Sequence, residues 1–492
     1  MSIYFLHNQQ DCVDFKEKKV YNKLTRIQYR ITTNYGEDSM NEKEFINEMA
    51  KHIIRDESSL FLGAGSSCSV GFPSWGKLLE ECAHKLNIKI KKDTDLFSIA
   101  QYFSNRYGKT ELQKIVKSVL NKKFEFESEL LNSIMDLNFK NIWTTNYDSV
   151  IEDNLSQRRI VSNKIIRDSD LVSLNPQTNV NIYKLNGDVS DSDNIVITKA
   201  DIEKYNDNHQ LLLTFLKKEL ISNTFLFLGY SFSDTIILSC LSFISTYLND
   251  KNNFHYTIIE KKNTCQHKSF IEDLEKRYHI KVLQVKSNDE IPDILDKLVN
   301  KIRSYRVFIS GSFINLNDDD DKFANELSKE ITYRLLEKYQ IYSGMGYKLG
   351  NYISGYGLNY LSEEHFTNIE HHLIMRPFAE HMSEQQIHNH RENLIDQCQF
   401  VIFIFGDSKY KNENHNSIGV WSEYQIAKKN RKVIIPIGSS GFESRKIYND
   451  ILNNITEYPY LEKYISILGE SRDATRITDT ILRIIAEYNS HL

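Results

Sequence analysis

The residues that could do chemistry in this chain follow short apolar segments and come in small clusters. The first cluster is the glycine-rich turn of FLGAGSSCSVGFPSW, at residues 61–75. Glycines let the backbone approach a pyrophosphate closely, and the start of a following helix offers free N–H groups to its charge. Cys68 occupies the third position of G-x-G-x-x-G, which disfavours an ordinary dehydrogenase site. The turn therefore predicts either a pyrophosphate site or only a tight strand-to-helix connection.

Three further polar clusters follow apolar segments in the first half of the chain. They are TTNYD at 144–148, KLNGD at 184–188 and GYSFSD at 229–234. Taken singly, a cluster such as TTNYD could be no more than a strand-end cap and turn, because turns favour these residue types. KLNGD raises the question of Asn186, whose carboxamide does not titrate. Asn186 can orient a hydroxyl by hydrogen bonding but cannot act as a general base.

A second set of small-residue turns lies in the second half of the chain. SGS at 310–312 and SGMG at 343–346 follow apolar segments, and such turns offer backbone N–H groups to phosphates. Arg376 stands in an apolar, strand-like segment, where a buried guanidinium needs an anionic partner. That partner could be a ligand, or a carboxylate in an ion pair that only supports the fold. Glu423 lies on a later helix, where its carboxylate could accept hydrogen bonds from a ribose diol.

The elements that must position these clusters alternate along the chain. Short segments rich in β-branched and aromatic residues are separated by stretches with helical spacing, such as WGKLLEECAHKL. This alternation predicts an α/β fold with mainly parallel sheets flanked by helices, and such sheets bind ligands at the carboxyl ends of their strands. The predicted strands lie at 58–65, 139–146, 181–188, 223–231, 254–261, 305–312, 339–346, 399–408 and 432–441.

The chain divides into an N-terminal extension and two Rossmann-like domains in this interpretation. Residues 1–40 lack a sustained hydrophobic period, and a helical pattern begins at Met40, which we treat as a candidate start of the functional protein. A charged helical stretch at 289–304 separates the two series of strands. We therefore predict domains at 41–302 and 303–492, each of a size usual for one α/β domain.

Composition and cysteine spacing argue against several classes of protein. The formal net charge of −5 and a pI near 6.3 provide no positive field for nucleic acid. The six cysteines form no C-x-x-C pair, which favours free thiols in a reducing cytosol over a zinc site or a disulfide framework. We find no long apolar run and no signal-peptide pattern. We therefore expect a cytoplasmic protein with no metal and neither a membrane nor a nucleic-acid partner.

Taken in order, GAG-S…G-P-S-W, T-T-N-Y-D, K-L-x-G-D and G-Y-S-F-x-D resemble the sirtuin-type NAD-binding domain over roughly residues 45–292. The likeness is closer to the bacterial defence branch than to protein deacetylases, whose four-cysteine zinc module is missing. It implies NAD+ as substrate, cleaved between nicotinamide and ribose. It also implies residue roles: Gly63, Ala64, Gly65 and Ser67 at the diphosphate, Phe72, Pro73 and Trp75 over the nicotinamide half, Asn146 and Asp148 at the nicotinamide ribose and the attacking water, and Gly229 and Ser231 on the adenosine side.

At residue 186 the sequence departs from that family, in which a histidine at this position serves as the catalytic base. Losing a general base typically costs about 10²–10⁴ in rate, whereas substrate binding rests on other residues. We therefore expect the chain to bind NAD+ and to hydrolyse it weakly or not at all. An introduced substitution that traps ligand and a natural variant could both account for Asn186, and the otherwise intact motifs favour the first.

Residues 303–492 resemble the SLOG family of nucleotide-derivative-binding domains in the order of their elements. They lack the P-G-G-x-G-T-x-x-E signature of the related Lonely-guy hydrolases, which argues for sensing. A sirtuin-type domain followed by a SLOG domain resembles the NAD-consuming effectors of the Thoeris anti-phage system. This resemblance implies a homotetramer activated by a cyclic ADP-ribose isomer that a TIR-domain partner makes. The implied signal-ligand residues are Ser310, Gly311, Ser312, Gly344, Gly346, Arg376, Lys409 and Glu423.

Two functions stay open at this point. The first is a signal-gated NAD+ hydrolase that carries a disabling change at residue 186. The second is a non-enzymatic receptor that binds NAD+ and a cyclic nucleotide to control assembly or a partner. A protein deacylase is disfavoured because the zinc module is missing.

Overall fold

The computed structural model describes residues 40–91, 94–120, 128–176, 178, 180–248, 253–314, 316–364, 368–379, 381–407 and 418–490. Lys409 lies outside these ranges, as does the predicted N-terminal extension apart from Met40. Met40 is buried among the core residues of the first sheet, next to the helix that the sequence predicts from this point.

The first part of the chain forms seven strands and fourteen α-helices within its described residues. They are α1 (Glu42–Ile54), β1 (Ser58–Leu62), α2 (Ala64–Cys68), α3 (Trp75–Leu78), α4 (Glu80–Lys85), α5 (Leu96–Tyr107), α6 (Lys109–Leu120), α7 (Glu129–Asp136), β2 (Asn141–Thr144), α8 (Val150–Gln157), β3 (Ser162–Ile165), β4 (Val180–Lys184), α9 (Lys199–Glu203), α10 (Tyr205–Asn208), α11 (Gln210–Ser222), β5 (Thr224–Leu228), α12 (Thr235–Leu248), β6 (His255–Glu260), α13 (Cys265–Tyr278), β7 (Ile280–Val285) and α14 (Ile291–Arg303).

The seven strands form one parallel sheet in the order β3-β4-β2-β1-β5-β6-β7. The central strand β1 is buried on both faces because its side chains alternate between two cores. Leu60 and Leu62 pack with Phe45 of α1 and with α14, while Phe61 packs with Phe225 and Phe227 on the opposite face. The register aligns Leu62 with Thr144 and Leu228, so the polar clusters that follow β1, β2 and β5 meet at one edge.

The second part of the chain begins two residues after α14 and forms a smaller parallel sheet in the order β10-β9-β8-β11-β12. Its elements are β8 (Arg306–Ser312), α15 (Asp318–Leu336), β9 (Gln340–Ser343), α16 (Leu349–Glu363), α17 (Ile369–His372), β10 (Leu373–Met375), α18 (Glu384–Asp396), β11 (Phe400–Phe405), α19 (Ile418–Lys429), β12 (Val433–Ile437), α20 (Phe442–Asn453), α21 (Ile465–Glu470) and α22 (Ala474–Ser490).

Each strand predicted from the sequence overlaps an observed strand, and the predicted α/β class with parallel sheets is confirmed. The edge strands β3 and β7 were not predicted. SNKI in β3 has a single buried apolar residue and no apolar run, and in β7 the apolar residues of IKVLQV are interrupted by Lys281 and Gln284. The described helices include none with the length and apolar character needed to cross a membrane.

Candidate functional site

The glycine-rich turn after β1 is packed against the turn after β5. The N–H groups of Gly63 and Gly65 donate to the carbonyls of Leu228 and Gly229, at 3.0 Å and 2.9 Å. A Cβ on Gly63 would lie 2.4 Å from the Gly229 carbonyl oxygen. In this conformation, therefore, Gly63 and Gly65 permit close packing of two strand ends, and their own N–H groups are already used. Ala64 and Ser67, on the short helix α2, are the members of this turn that face a cavity.

Asn146 connects the turn after β2 to the turn after β1. Its Nδ2 donates to the Gly63 carbonyl at 3.1 Å and to Ser67 Oγ at 3.0 Å. Its backbone N–H donates to Thr144 Oγ1 at 2.9 Å, and that hydroxyl donates to the Leu62 carbonyl at 2.8 Å. This chain of hydrogen bonds fixes the Asn146 amide at the carboxyl end of β1.

Asp148 lies on the same side of the sheet and is almost fully buried. Its Oδ1 accepts from the Val150 N–H at 3.1 Å. Burial raises the pKa of Asp148, while the nearby Lys184 ammonium and a hydrogen bond from Ser67 oppose the rise. Ser67 thus contacts both Asn146 and Asp148, so the structure brings these three predicted site residues together.

A cavity of about 50 Å³ is lined by Ala64, Ser67, Pro73, Trp75, Leu78, Leu120, Thr145, Asn146, Tyr147 and Asp148. Ligand sites usually enclose roughly 300–1,000 Å³, so this cavity is much smaller than a typical ligand site. Phe72 packs in the adjoining hydrophobic core. Gly229 packs against the glycine-rich turn. Ser231 is exposed, and its hydroxyl forms a hydrogen bond with the Ser233 hydroxyl at 2.7 Å. These three predicted residues therefore do not line the cavity.

Lys184 lies at the end of β4, and its ammonium group is fully buried. Its Nζ donates to Asp188 Oδ2 at 2.6 Å, to Glu152 Oε1 at 3.1 Å and to the Asp148 carbonyl. Burial lowers the pKa of Lys184, but Glu152, Asp188 and Asp148 outweigh it and leave the pKa raised. This buried lysine links the loop that carries Asp148 to the turn that carries Asn186.

Asn186 is fully buried in the turn after β4. Its backbone carbonyl accepts from the Val196 N–H at 2.9 Å, and Gly187 follows with a φ of +87°. Neither polar atom of its side chain makes a hydrogen bond, which is uncommon for a buried amide. Burial raises the pKa of the Asp234 carboxyl, and the Ile236 N–H and the Asn186 amide oppose the rise.

A second cavity, of about 130 Å³, lies at the carboxyl ends of β8 and β9. Six of the eight predicted signal-ligand residues line it, namely Ser310, Gly311, Ser312, Gly344, Gly346 and Glu423. The Ser310 hydroxyl donates to Glu423 Oε2 at 2.5 Å. Burial raises the pKa of Glu423, and the Ser310 hydroxyl and Arg391 oppose this.

Arg391, on α18, was missed by the sequence analysis. It lines this second cavity beside Phe378, and its Nε lies 3.4 Å from Glu423 Oε1. A single arginine in the mixed-polarity sequence HNHRENLID makes no motif. Only the need for a cation opposite a buried Glu423 could have suggested it.

Arg376 lies outside this second cavity. It lines a separate cleft of about 410 Å³ between the two parts of the chain, together with Lys140, Arg306, Tyr342 and His371. The Arg376 side chain is exposed, and its backbone N–H donates to the Ser343 carbonyl at 2.9 Å. Across the same cleft, the His371 imidazole contacts the backbone carbonyl of Ile54 at the end of α1. Arg376 is thus placed where the two parts of the chain meet.

Among the residues that the structure describes, no group of three or more His, Cys, Asp or Glu side chains is arranged to hold a metal ion.

Two family models match the chain in the order of the two sheets. A model described as "SIR2-like domain" matches residues 140–283. A model described as "Sir2- and TIR-associating SLOG family" matches residues 290–488. The resemblance to a sirtuin-type domain followed by a SLOG domain is therefore confirmed.

Curated relatives match over both sheets. "NAD(+) hydrolase ThsA" of Enterococcus faecium is 31% identical over 445 residues, which cover 85% of this chain and 92% of that protein. The protein of the same name from Cytobacillus dafuensis is 29% identical over 477 residues, which cover 89% of this chain and 95% of the relative. "Defense-associated sirtuin 2" of Bacillus subtilis is 24% identical over 253 residues, which are 49% of this chain and 24% of that protein.

Proposed function

Because this chain belongs to the ThsA family of NAD(+) hydrolases, we propose that it is an NAD+ hydrolase effector of Thoeris anti-phage defence, gated by a cyclic ADP-ribose isomer. The observation that carries the proposal is the convergence of Ser67, Asn146 and Asp148 on one cavity at the carboxyl ends of β1 and β2. Parallel sheets bind nucleotides at this edge.

In the proposed reaction a water molecule attacks C1′ of the nicotinamide ribose, and the bonding electrons leave with nicotinamide. Positive charge builds on the sugar as the bond breaks, and the buried Asp148 carboxylate would stabilise it. The Asn146 amide is held by two acceptors, Gly63 and Ser67, and would exchange one of them for a ribose hydroxyl or for the water. The products are nicotinamide and ADP-ribose.

The same proposal expects impaired turnover in this chain. An Asn186 amide can hold the water but cannot take its proton, because a carboxamide has no basic group in the physiological pH range. NAD+ binding rests on Ser67, Asn146 and the packed glycines, which are all present. We therefore propose that the chain binds NAD+ and turns it over slowly or not at all.

The chemistry of the second cavity supports a cyclic ADP-ribose isomer as the signal. Backbone turns at 310–312 and 344–346 suit phosphates, Glu423 can accept from a ribose diol, and Arg391 can donate to a phosphate. A cyclic ADP-ribose isomer, made by a TIR-domain partner, carries the phosphates and the ribose hydroxyls that these protein groups would bind. The NAD+ cavity of about 50 Å³ is too small for the substrate in this conformation, which is consistent with a resting state that the signal opens.

A homotetramer built around the SIR2-like domains is part of the proposal. The neighbouring helices α11 and α12 expose Leu211, Phe215, Phe243 and Tyr247. Helix α12 has no charged residue, and its outer face lines a shallow surface depression of about 490 Å³. Exposed apolar side chains gathered on one face are typical of protein–protein contacts. Light scattering should give a mass near four chains, and Phe243→Lys with Tyr247→Lys should lower it.

The test combines binding with turnover. Binding of NAD+ and of each cyclic ADP-ribose isomer is measured by calorimetry on the parent and on Asn186→His. Nicotinamide release from both proteins is measured with and without each isomer. The proposal expects NAD+ binding in both proteins and signal-dependent release in Asn186→His. Binding of both ligands with no release from either protein would instead favour the non-enzymatic receptor.

A further inference from the structure

The cleft between the two parts of the chain is large enough for a small molecule in this conformation. It encloses about 410 Å³. A side cavity of about 290 Å³ adjoins it, and the two share Tyr342, Ile374, Arg376 and Gln397. The NAD+ cavity and the second cavity enclose about 50 Å³ and 130 Å³. Because ligand sites usually enclose roughly 300–1,000 Å³, the cleft is in the range of a ligand site and those two cavities are not.

Two arginines of the second sheet line this cleft. Arg306 is the first residue of β8, and Arg376 follows β10. The Arg306 Nε donates to Gln340 Oε1 at 3.0 Å, which leaves the two terminal nitrogens of this guanidinium as donors for a ligand. Among the described residues, neither arginine forms an ion pair with a carboxylate. Guanidinium groups in this condition suit phosphate, which can accept two parallel hydrogen bonds from each.

The charged groups around the cleft favour an anion. Of the described residues, Asp56 and Glu370 are the acidic ones that line it, and Lys140 adds a cation to the two arginines. Lys140 forms an ion pair with Asp56, and Glu370 is exposed to solvent, where salt screens its charge. The cleft therefore has more cationic side chains than carboxylates, and one of its carboxylates is already paired.

One face of α18 forms a wall of the side cavity. This wall contains positions i, i+3, i+4 and i+7 of the helix and its C-terminal cap, namely His390, Asn393, Leu394 and Gln397. The side-chain amides of Asn393 and Gln397 form no hydrogen bond with the residues that the structure describes. A carboxamide can both donate to and accept from the edge of a nucleotide base. The side cavity therefore suits a base, next to the arginines that suit its phosphates.

Helix α18 also separates the side cavity from the second cavity. Arg391 lines the second cavity, where its Nε lies 3.4 Å from Glu423 Oε1. The preceding residue, His390, lines the side cavity, and its Nε2 lies 3.1 Å from the Arg376 carbonyl oxygen. The centroid of the Phe378 ring lies 4.9 Å from that of the His390 ring and 5.1 Å from the Arg391 guanidinium. No described residue lines both, so the cleft and the second cavity are separate sites.

We propose that the cleft and its side cavity form a nucleotide site, separate from the NAD+ cavity and from the second cavity. Arg306 and Arg376 hold the phosphates, and Asn393 and Gln397 hydrogen-bond to the base. The ligand class is a nucleoside 5′-diphosphate group, either as a free nucleotide or as half of a larger molecule. The inference does not depend on NAD+ hydrolysis, because the residues that carry it line neither of the other cavities.

The test is calorimetry on the full chain with ADP as the probe. We expect Arg306→Gln/Arg376→Gln to weaken ADP binding about tenfold or more, because each change removes charge-assisted hydrogen bonds to phosphate. Arg376→Gln alone should weaken it about fivefold or more. The Arg376 side chain is exposed and its backbone bond to Ser343 is kept, so this variant retains the fold. Arg483→Gln, the matched control, removes an exposed arginine on α22 outside the cleft and should change the affinity by no more than about twofold.

The base contact and the source of the ligand have their own measurements. Asn393→Ala/Gln397→Ala should weaken ADP binding about fivefold or more and leave the affinity for inorganic pyrophosphate within about twofold. Pyrophosphate that binds the parent as tightly as ADP would overturn the base contact. Competition with ADP-ribose then distinguishes the two sources: displacement of ADP supports a site for the larger molecule, and no displacement supports a site for the free nucleotide.

Three results would overturn the site itself. They are no binding of ADP to the parent chain, an unchanged ADP affinity in both arginine variants, and a loss in Arg391→Ala as large as that in Arg306→Gln/Arg376→Gln. The last result would place ADP in the second cavity, which Arg391 lines. None of these results bears on nicotinamide release, which the hydrolase proposal assigns to the NAD+ cavity.

Discussion

Replacement of Lys184 by methionine should destabilise the first sheet strongly, whereas the same change at Lys164 should not. Both ammonium groups reach the same oxygen of Asp188, at 2.6 Å from Lys184 and 3.5 Å from Lys164. The Lys184 side chain has no exposed area, while 37% of the Lys164 side chain is exposed. The two variants therefore compare a buried and a solvated cation on one carboxylate.

The expected magnitudes differ because only one variant leaves a buried charge uncompensated. Removing one partner of a buried ion pair typically costs about 3–5 kcal/mol, and an exposed pair is worth about 0–1 kcal/mol. For a domain of this size, 1 kcal/mol shifts Tm by about 2–4 °C. Lys184→Met should thus lower the Tm of the first unfolding transition by roughly 6–20 °C, and Lys164→Met by no more than about 4 °C.

The pH dependence of the Lys184 effect has a definite sign. Burial raises the pKa of Asp188, but the Lys184 ammonium outweighs burial and holds this pKa below its ordinary value. The Asp188 carboxylate therefore contributes stability at pH values above its unfolded pKa. This contribution is lost as the pH falls through the folded pKa. The pKa of Lys184 is raised, so its contribution is complete below the unfolded pKa of a lysine and is lost as the pH rises through the folded pKa. At pH 7 both contributions are present.

Scanning calorimetry at pH 7 and at acid pH tests this prediction by measuring Tm. The difference in Tm between the parent and Lys184→Met should shrink as the pH falls below the ordinary carboxylate range. Asp188→Asn, added to Lys184→Met, should recover part of the loss because it removes the stranded charge. Equal effects of the two lysine substitutions at pH 7 would refute the argument.

Three further predictions concern the two cavities and the packed glycines. Arg391→Ala should weaken binding of a cyclic ADP-ribose isomer about tenfold or more, measured by calorimetry, because it leaves Glu423 as an unpaired buried carboxylate. Arg376→Ala should leave that affinity within about threefold, since Arg376 lines the cleft between the two parts of the chain. It should instead change the signal concentration needed for nicotinamide release from Asn186→His. An equal loss of affinity in Arg391→Ala and Arg376→Ala would contradict this assignment. Gly229→Ala should lower Tm and NAD+ affinity together, because a Cβ there would lie 2.5 Å from the Ser66 nitrogen at a φ of +62°, and an unchanged Tm would show that the turns can separate.

The sequence predicted the edge of each sheet at which these two cavities lie, because strand ends in glycine and short polar residues are visible as local patterns. GAG, TTNYD and SGS follow β1, β2 and β8, and Ser67, Asn146 and Ser310 line the cavities found there. Such turns are encoded by the residues that form them, so no knowledge of distant contacts is needed.

The features that sequence analysis missed depend on how distant elements pack. Arg391 contacts Glu423 because α18 packs beside α19, and neither helix carries a sequence motif that indicates this pair. Strand β3 is held by an amide row, in which Asn163 donates to Asn181 at 2.9 Å and Asn181 donates to Asn141 at 3.1 Å, instead of by an apolar run. Side-chain pairing of this kind leaves no hydrophobic period in the sequence.

The glycine-rich turn lies at the end of β1, as the sequence predicts, but the structure gives its glycines another physical reason. The sequence predicts that Gly63 and Gly65 line a diphosphate. The structure instead uses both N–H groups within the protein and requires glycine because Gly229 packs directly against them. A tight strand-to-helix turn and a phosphate site look alike in sequence, since both need a residue without a Cβ.

The most direct test of the central claim is the initial rate of nicotinamide release from Asn186→His relative to the parent, at saturating NAD+ and cyclic ADP-ribose isomer. A hydrolase whose base is missing predicts a rate roughly 10²- to 10⁴-fold higher in Asn186→His, and a return to the low rate when the signal is withheld. Equal rates in the two proteins, with both ligands bound, would contradict the claim that residue 186 is the catalytic position.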